Sequence, residues 1–130
     1  MSSNRQRPEG MLSTAELCRQ SGVTYRQAQH WAMRGYLQPA VESSGSGSRR
    51  WWSPTSISEA VILRELAPFS SVHSPIAGDV VQAWREAGRP AKAWVGITSV
   101  GPWVWESTPE LLEDLNSGNA CLVVHVPIDE

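Results

Sequence analysis

The chain has 130 residues, of which 41% are hydrophobic and 18% charged, and its formal net charge is −2. This length accommodates one ordinary domain or two very small ones, and the composition is typical of a folded chain rather than a disordered one. No run approaches the ~20 apolar residues of a membrane span, and the N-terminus lacks the apolar core of a secretory signal, so we expect a cytoplasmic protein. The two cysteines are too few and too far apart for a disulfide framework or a zinc site.

The total charge hides an asymmetry between the two parts of the chain. Residues 1–52 contain seven arginines and three glutamates, a net charge of +4, whereas residues 53–130 contain four basic and ten acidic side chains, a net charge of −6. Attraction to phosphate is screened within ~10 Å at ordinary salt, so the local charge matters more than the total. The first part is therefore suited to a polyanionic partner, with a chance imbalance as the alternative.

Two short helices joined by a tight turn at Gly22-Val23 are predicted between Leu12 and Leu37, after a tail at residues 1–10. Ser13 and Glu16 have the spacing of a capping box for the first helix, and Thr24 can cap the second. The apolar positions fall where two crossing helices would meet, and they are Leu12, Leu17, Cys18, Val23, Ala28, Trp31 and Leu37. The second helix is left with side chains suited to base edges and phosphates, namely Tyr25, Arg26, Gln27, Gln29, His30 and Arg34. This pattern predicts a helix-turn-helix.

Two stretches of the sequence resemble a known family. GVTYRQAQHWAMRGYL, at residues 22–37, looks like the recognition-helix signature of MerR-type regulators. Arg50-Trp51-Trp52-Ser53 resembles the Arg-x-Tyr-Ser that follows the wing in that family, with Trp52 in the place of Tyr. The resemblance covers about residues 11–67 and implies a winged DNA-binding domain, although similar modules also occur in excisionases of mobile elements.

A wing is predicted after the second helix. Gln38–Val41 would form its first strand, Glu42–Ser48 its loop and Arg49–Trp52 its second strand, while an interdomain linker at 42–48 is the alternative. We favour the wing because Ser53 and Pro54 then resume the family's order with a helix start. Arg49 and Arg50 would lie beside the DNA backbone, with Trp51 or Trp52 anchoring the wing. The predicted DNA contacts are Thr24, Tyr25, Arg26, Gln27, Gln29, His30, Arg34, Arg49, Arg50 and Trp51.

Two further helices are predicted before the chain changes character. The first runs from Pro54 to about Leu66 with an inward stripe of Ile57, Val61, Leu63 and Leu66, and Pro68 ends it. The second opens at Ser74-Pro75 and runs to about Ala87, with one apolar face formed by Ile76, Val80, Ala83, Trp84 and Ala87. MerR-like proteins continue here into a long pairing helix, but Gly88-Arg89-Pro90 interrupts this chain, so the family's mode of dimerisation is not expected.

The last third predicts a β-β-α-β unit. Strands are expected at Ala93–Thr98, Trp103–Glu106 and Ala120–Val126, and a helix with Leu111, Leu112 and Leu115 inward starts at Thr108. The three tryptophans of this region either cover a thin core or form a subunit interface, since a domain of ~40 residues buries little surface alone. The predicted dimer contacts are Ile76, Val80, Trp84, Trp94, Trp103 and Trp105.

The predicted class is α+β, with a tail at 1–10, a winged helix-turn-helix at 11–67 and a dimerisation or sensing domain at 68–130. No Gly-rich phosphate loop, Cys/His ligand spacing or Ser-His-Asp set is apparent, so we expect neither an enzyme nor a metal or cofactor. We expect a sequence-specific regulator that binds double-stranded DNA as a homodimer, with a small-molecule or protein effector at the C-terminal domain. The alternatives are an excisionase-like DNA-bending accessory protein and, less favoured, a protein-interaction adaptor.

Overall fold

The computed structural model describes residues 8–41, 50–70 and 75–126. Within these ranges the chain is α+β, as predicted, with five α-helices and one three-stranded antiparallel sheet. It divides into two compact units, Met1–Ala60 and Val61–Glu130, whereas the sequence placed the boundary at residue 67. None of the described helices combines the length and apolar character that crossing a bilayer requires.

The N-terminal unit begins with two short helices, α1 (Thr14–Ser21) and α2 (Tyr25–Met33). The predicted capping box of α1 is confirmed, because the Ser13 hydroxyl accepts from the Glu16 amide at 3.1 Å and the Glu16 carboxylate accepts from the Ser13 amide at 2.9 Å. Gly22 ends α1 in the left-handed conformation, with φ at 82°, and its amide donates to the Cys18 carbonyl. Residues that carry a β-carbon rarely adopt this backbone conformation, so the turn after α1 depends on glycine.

Two consecutive tryptophans join the chain before α1 to the chain after α2. Trp52 forms an antiparallel bridge with Leu12, and Trp51 forms another with Val41. Both indoles are buried. The predicted strands Gln38–Val41 and Arg49–Trp52 are thus represented by single bridges, while residues 42–49, including the predicted wing loop and Arg49, lie outside the described residues.

The third helix, α3 (Thr55–Leu66), continues into a short 3-10 helix at Ala67–Phe69. Its predicted inward stripe is wrong in part, because Ile57 and Val61 are only half-buried. The buried side chains occur on several sides of the helix, so one stripe at i, i+4 spacing cannot describe them. They are Ser56, Ser58, Glu59, Ala60, Ile62, Leu63 and Leu66.

The C-terminal unit contains α4 (Ile76–Glu86), whose apolar face differs from the predicted one. Ala87 is exposed and Ile76 and Ala83 are half-buried, and the buried residues are Ala77, Gly78, Val80, Val81 and Trp84. Pro75 occupies the N-cap itself and supplies no side-chain cap. Gly88 ends the helix at a φ of 91°, as the sequence suggested.

The sheet contains β1 (Trp94–Thr98), β2 (Gly101–Trp105) and β3 (Ala120–His125) in the order β2-β1-β3. The predicted start of the second strand at Trp103 is displaced, because Ser99 and Val100 form the turn and β2 already starts at Gly101. Pro102 fits within β2 because an edge strand need not use every amide in the ladder.

Helix α5 (Thr108–Asn116) packs against β2 and β3, and Ser107 caps it by accepting from the Glu110 amide. Leu111 reaches a small core with Trp105 and Ala120, against which Trp94 and Val123 pack. Leu112 and Leu115 were predicted to point inward, but they are 49% and 42% exposed. The side of α5 that meets the sheet is therefore narrow and uses Leu111 together with Asp114, whose carboxylate accepts from the Trp105 indole at 2.7 Å.

The pairing of β1 with β3 is irregular near Gly96. Gly96 lies opposite Val123 and Thr98 opposite Ala120, so one residue of β1 faces two of β3 between these pairs. A β-carbon at position 96 would lie 1.9 Å from the carbonyl oxygen of Leu122. Because this neighbour is backbone, the close approach of the two strands requires glycine at this position.

Candidate functional site

The start of α2 is held by a second complete capping box. The Thr24 hydroxyl accepts from the Gln27 amide, and the Gln27 side-chain oxygen accepts from the Thr24 amide, both at 3.0 Å. The predicted cap at Thr24 is confirmed, and Gln27 has a structural role that the sequence did not indicate. Both residues were also predicted to contact DNA, but their side-chain oxygens already accept hydrogen bonds within the first turn of α2.

The outer face of α2 is polar and cationic. Ala28 and Trp31 are buried and α2 contacts α1, so the orientation of the helix is fixed from its inner side. Tyr25 is 60% exposed, and Arg26, His30 and Arg34 are also exposed. Arg26 and His30 are one turn apart and therefore neighbours on the helix surface. The exposed positions agree with those selected from the sequence, although exposure alone does not identify what they bind.

A chain of hydrogen bonds connects α2 to the segment that returns before Trp51. Arg50 donates through Nη1 to the side-chain oxygen of Gln29, and Gln29 donates through Nε2 to the Tyr25 hydroxyl at 3.2 Å. Gln29 is half-buried, whereas Tyr25 is exposed. The sequence predicted all three as separate DNA contacts, but the geometry places Gln29 between the other two. The 21-residue separation of Gln29 and Arg50 is why the sequence did not indicate this contact.

The tryptophans after Arg50 serve to anchor the unit. Trp51 is only 6% exposed, so its indole is not available for the DNA contact predicted for it and fills the alternative role of an anchor. Trp52 is 1% exposed, and its indole nitrogen donates to the Thr14 hydroxyl at 2.9 Å. Arg50 is consequently attached to a rigid backbone at its C-terminal side. Arg49 lies outside the described residues, so its predicted DNA contact has no structural counterpart.

One exposed residue next to this face was not among those predicted from the sequence. Met33 is 81% exposed at the C-terminal end of α2. It lies three residues after His30, on the same side of the helix. The signal available in the sequence was its position outside the apolar spacing set by Ala28 and Trp31.

The predicted dimer contacts divide into buried and accessible groups. Val80, Trp84 and Trp105 belong to the interior of the C-terminal unit, with the Trp84 indole donating to the Pro90 carbonyl at 3.0 Å, so these side chains cannot supply a contact surface. Ile76 and Trp94 are half-buried, and only Trp103 is as much as 50% exposed. The alternative role named for the tryptophans, covering a thin core, is the one that Trp105 fulfils.

Trp103 lies beside a small cleft of about 230 Å³ at the turn end of the sheet. The cleft is lined by Thr98, Ser99, Val100, Trp103, Asp114 and Asn119.

Across the described ranges, no group of three His, Cys, Asp or Glu side chains is arranged to hold a metal ion. Burial raises the pKa of the Cys18 thiol on α1, which disfavours the thiolate there.

The two units differ in the sign of their net charge, as the two parts of the sequence do. The first 60 residues contain seven arginines and four glutamates, and residues 61–130 contain four basic and nine acidic side chains. Four of those arginines, Arg19, Arg26, Arg34 and Arg50, lie within the described residues, and two of them belong to α2 or its C-cap.

No protein-family model matches the chain, and no curated protein matches it.

Proposed function

We propose that this protein is a sequence-specific double-stranded DNA-binding regulator of the MerR-like winged helix-turn-helix type. The observation that carries the proposal is the outer face of α2, where Tyr25, Arg26, His30 and Arg34 are presented on a helix whose inner side is buried. An α-helix with its side chains is about 10–12 Å across, which fits the ~12 Å wide major groove, and the nine residues of α2 extend for about 13 Å.

In this proposal α2 enters the major groove with its N-terminal turn toward the bases. Recognition helices of this kind use their N-terminal residues for base contacts, which makes Arg26 the first candidate for a bidentate contact to guanine. His30 follows one turn later, and Arg34 at the C-cap suits a phosphate. Tyr25 would contact a phosphate or a thymine methyl group.

Arg50 would contact the DNA backbone next to the groove, together with Arg49 of the proposed wing. Its hydrogen bond to Gln29 supports this assignment, because it couples the return segment to the helix that would read the bases. The complete caps at both helix starts and the bridges at Leu12 and Val41 hold these groups in a fixed arrangement. Rigid presentation lowers the entropy that binding would otherwise cost.

The regulator is proposed to act as a dimer, with the acidic C-terminal unit joining two copies. One domain of this size reads only about half of a site, and two linked copies raise the affinity through effective concentration. The local net charges of the two units suit this division, since residues 61–130 would be repelled by phosphate.

Selection of bound duplexes from a random pool, followed by footprinting on the selected sequence, tests the proposal. We expect the selected site to be one inverted repeat. The logarithm of the binding constant should fall linearly with the logarithm of the salt concentration, with a slope of about −0.9 for each phosphate contact. Adjacent direct repeats with bending would instead indicate the excisionase-like role. Failure to select any sequence, together with a flat salt dependence, would reject DNA recognition and favour an adaptor.

A further inference from the structure

The strand β3 forms one edge of the C-terminal sheet, and its backbone polarity can be assigned from the register. The Val126 amide donates to the Ala93 carbonyl at 2.9 Å, and the next pairs along the ladder are Trp94 with His125 and Val95 with Val124. Bonded and non-bonded pairs alternate in antiparallel sheets. The peptide groups of Val124 and Val126 therefore point toward β1, and those of Val123 and His125 point toward the other side of β3, where no strand pairs among the residues that the structure describes.

The two edges of the sheet differ in how they are protected. Proteins commonly guard edge strands with charged side chains, proline or bulges. β2 contains Pro102, whereas Ala120–His125 contains no proline and no Asp, Glu, Lys or Arg. The irregularity opposite Gly96 disturbs only the first part of β3, before Val123. The stretch from Val123 to His125 is therefore regular, contains no Asp, Glu, Lys or Arg, and is suited to pairing with another strand.

Apolar surface lies on the helix that accompanies this strand. α5 packs against β3, and its Leu112 and Leu115 are about half-exposed. Antiparallel pairing of a strand with its own copy uses a two-fold axis perpendicular to the sheet, which keeps both copies of α5 on one face. A second copy thus brings further apolar surface to the face that carries these leucines.

We propose that β3 of a second copy of this chain pairs antiparallel with this edge, about a two-fold axis centred on Val124, to form a continuous six-stranded sheet. This register matches Val123 of one copy with His125 of the other, so that the outward-pointing peptide groups bond to one another. The two copies of Val124 face each other as a non-bonded pair. The proposal specifies the dimer that the proposed DNA recognition calls for and replaces the tryptophan interface expected from the sequence.

A charge pair at position 124 provides the test, because β-carbons of directly opposed residues lie about 5 Å apart. We expect the native chain to be dimeric in sedimentation velocity at tens of micromolar without DNA, and Val124→Lys and Val124→Glu each to be monomeric. An equimolar mixture of the two variants should restore the dimer. Val104→Lys is the matched control, since Val104 is half-buried and pairs with Val95 from the opposite edge; it should remain dimeric.

A disulfide provides a second readout that does not depend on the folding of the charged variants. In a Cys18→Ala, Cys121→Ser background, Val124→Cys should form an intermolecular disulfide on mild oxidation, because a non-bonded pair has a Cα separation of about 4.5 Å, within the range of disulfides. Val104→Cys should not. A monomeric native chain, a dimeric Val124→Lys variant or crosslinking at position 104 instead of 124 would overturn the strand pairing.

DNA binding is measured separately, which keeps the two proposals distinguishable. A monomeric native chain that still selects a DNA sequence would reject the β3 interface and leave the proposed function intact. A dimer that crosslinks at position 124 but selects no sequence would support the interface and reject the function.

Discussion

The two units bury and expose their residues in different ways. The N-terminal unit buries Trp31, Trp51 and Trp52 and exposes arginines and other polar side chains on α2. The C-terminal unit buries Trp84 and Trp105 but leaves Trp103, Val100 and two leucines of α5 exposed. An exposed cationic face is suited to a polyanion, and exposed apolar groups on a small sheet are suited to another protein surface. Under the proposed function, recognition and assembly would be separate tasks of the two units.

The largest effect is expected from removing one buried tryptophan from each unit. Trp52→Ala should cost about 3–5 kcal/mol of unfolding free energy, because it leaves a cavity in a small unit. We expect this variant to lose DNA binding and to keep the dimer, and Trp105→Ala to lose the dimer while a weakly binding N-terminal unit remains. Urea unfolding, sedimentation and DNA titration measure these effects.

Thr14→Val is the control for Trp52→Ala, because it removes the hydrogen bond to the indole and keeps the packing. It should cost about 1 kcal/mol. If Trp52→Ala and Trp105→Ala each lost both DNA binding and dimerisation, the two units would not work separately.

Replacing the best candidate for base recognition gives the next largest effect. Arg26→Ala should weaken binding to the selected DNA site by roughly 1–3 kcal/mol and relax the sequence preference, because a bidentate contact to guanine discriminates between bases. Fluorescence anisotropy with the selected and a shuffled duplex measures both quantities. Arg19→Ala, an exposed position on α1, is the control. Equal losses on the two duplexes would mean that Arg26 contacts phosphate.

A smaller effect is expected from uncoupling Arg50 from α2. Gln29→Met keeps the length of the side chain and removes both hydrogen bonds, to Arg50 and to Tyr25. Because Gln29 would position these groups rather than read a base, we expect affinity to fall by roughly 0.5–1.5 kcal/mol on every sequence. Gln20→Met on α1 should have no effect. A loss confined to one base pair would show that Gln29 itself contacts DNA.

The smallest expected effect concerns the thiol on α1. The pKa of Cys18 is raised above 9.0 by burial, so the unfolded chain loses this proton at lower pH than the folded chain does. The corresponding stability is fully present below pH 9 and declines as the pH rises through the folded-state pKa. Urea unfolding of the native chain and of Cys18→Ala between pH 7 and 10 should differ slightly in slope. A steeper decline in Cys18→Ala would contradict the direction of this shift.

Local signals predicted the parts of the fold that depend on near neighbours. Ser13, Thr24 and Gly22 gave both helix starts and the turn, because capping is decided within three or four residues. The α+β class and the strands β1 and β3 also followed from the pattern. The exposed face of α2 could be predicted because a two-helix unit leaves little doubt about which side faces inward.

Contacts between distant residues could not be predicted in the same way. The position of Gln29 between Arg50 and Tyr25 depends on how the chain returns after residue 49, and the burial of Trp51 depends on its bridge to Val41. Leu112 and Leu115 have the composition of core residues, but the narrow contact of α5 with the sheet leaves them exposed. The early start of β2 at Gly101 was missed because Pro102 is normally a sign of a turn.

The bridge between Leu12 and Trp52 has a consequence for how the chain is made. The helix pair is local in sequence, but the bridge closes a loop of about forty residues, and such long-range contacts form late because loop closure costs entropy. During synthesis α1 and α2 leave the ribosome before Trp52 is available to form the bridge to Leu12 and the hydrogen bond to Thr14. The nascent unit therefore lacks both contacts until residue 52 has emerged. Translation pauses placed before this point would prolong the incomplete state of the unit, and pauses placed after it would not.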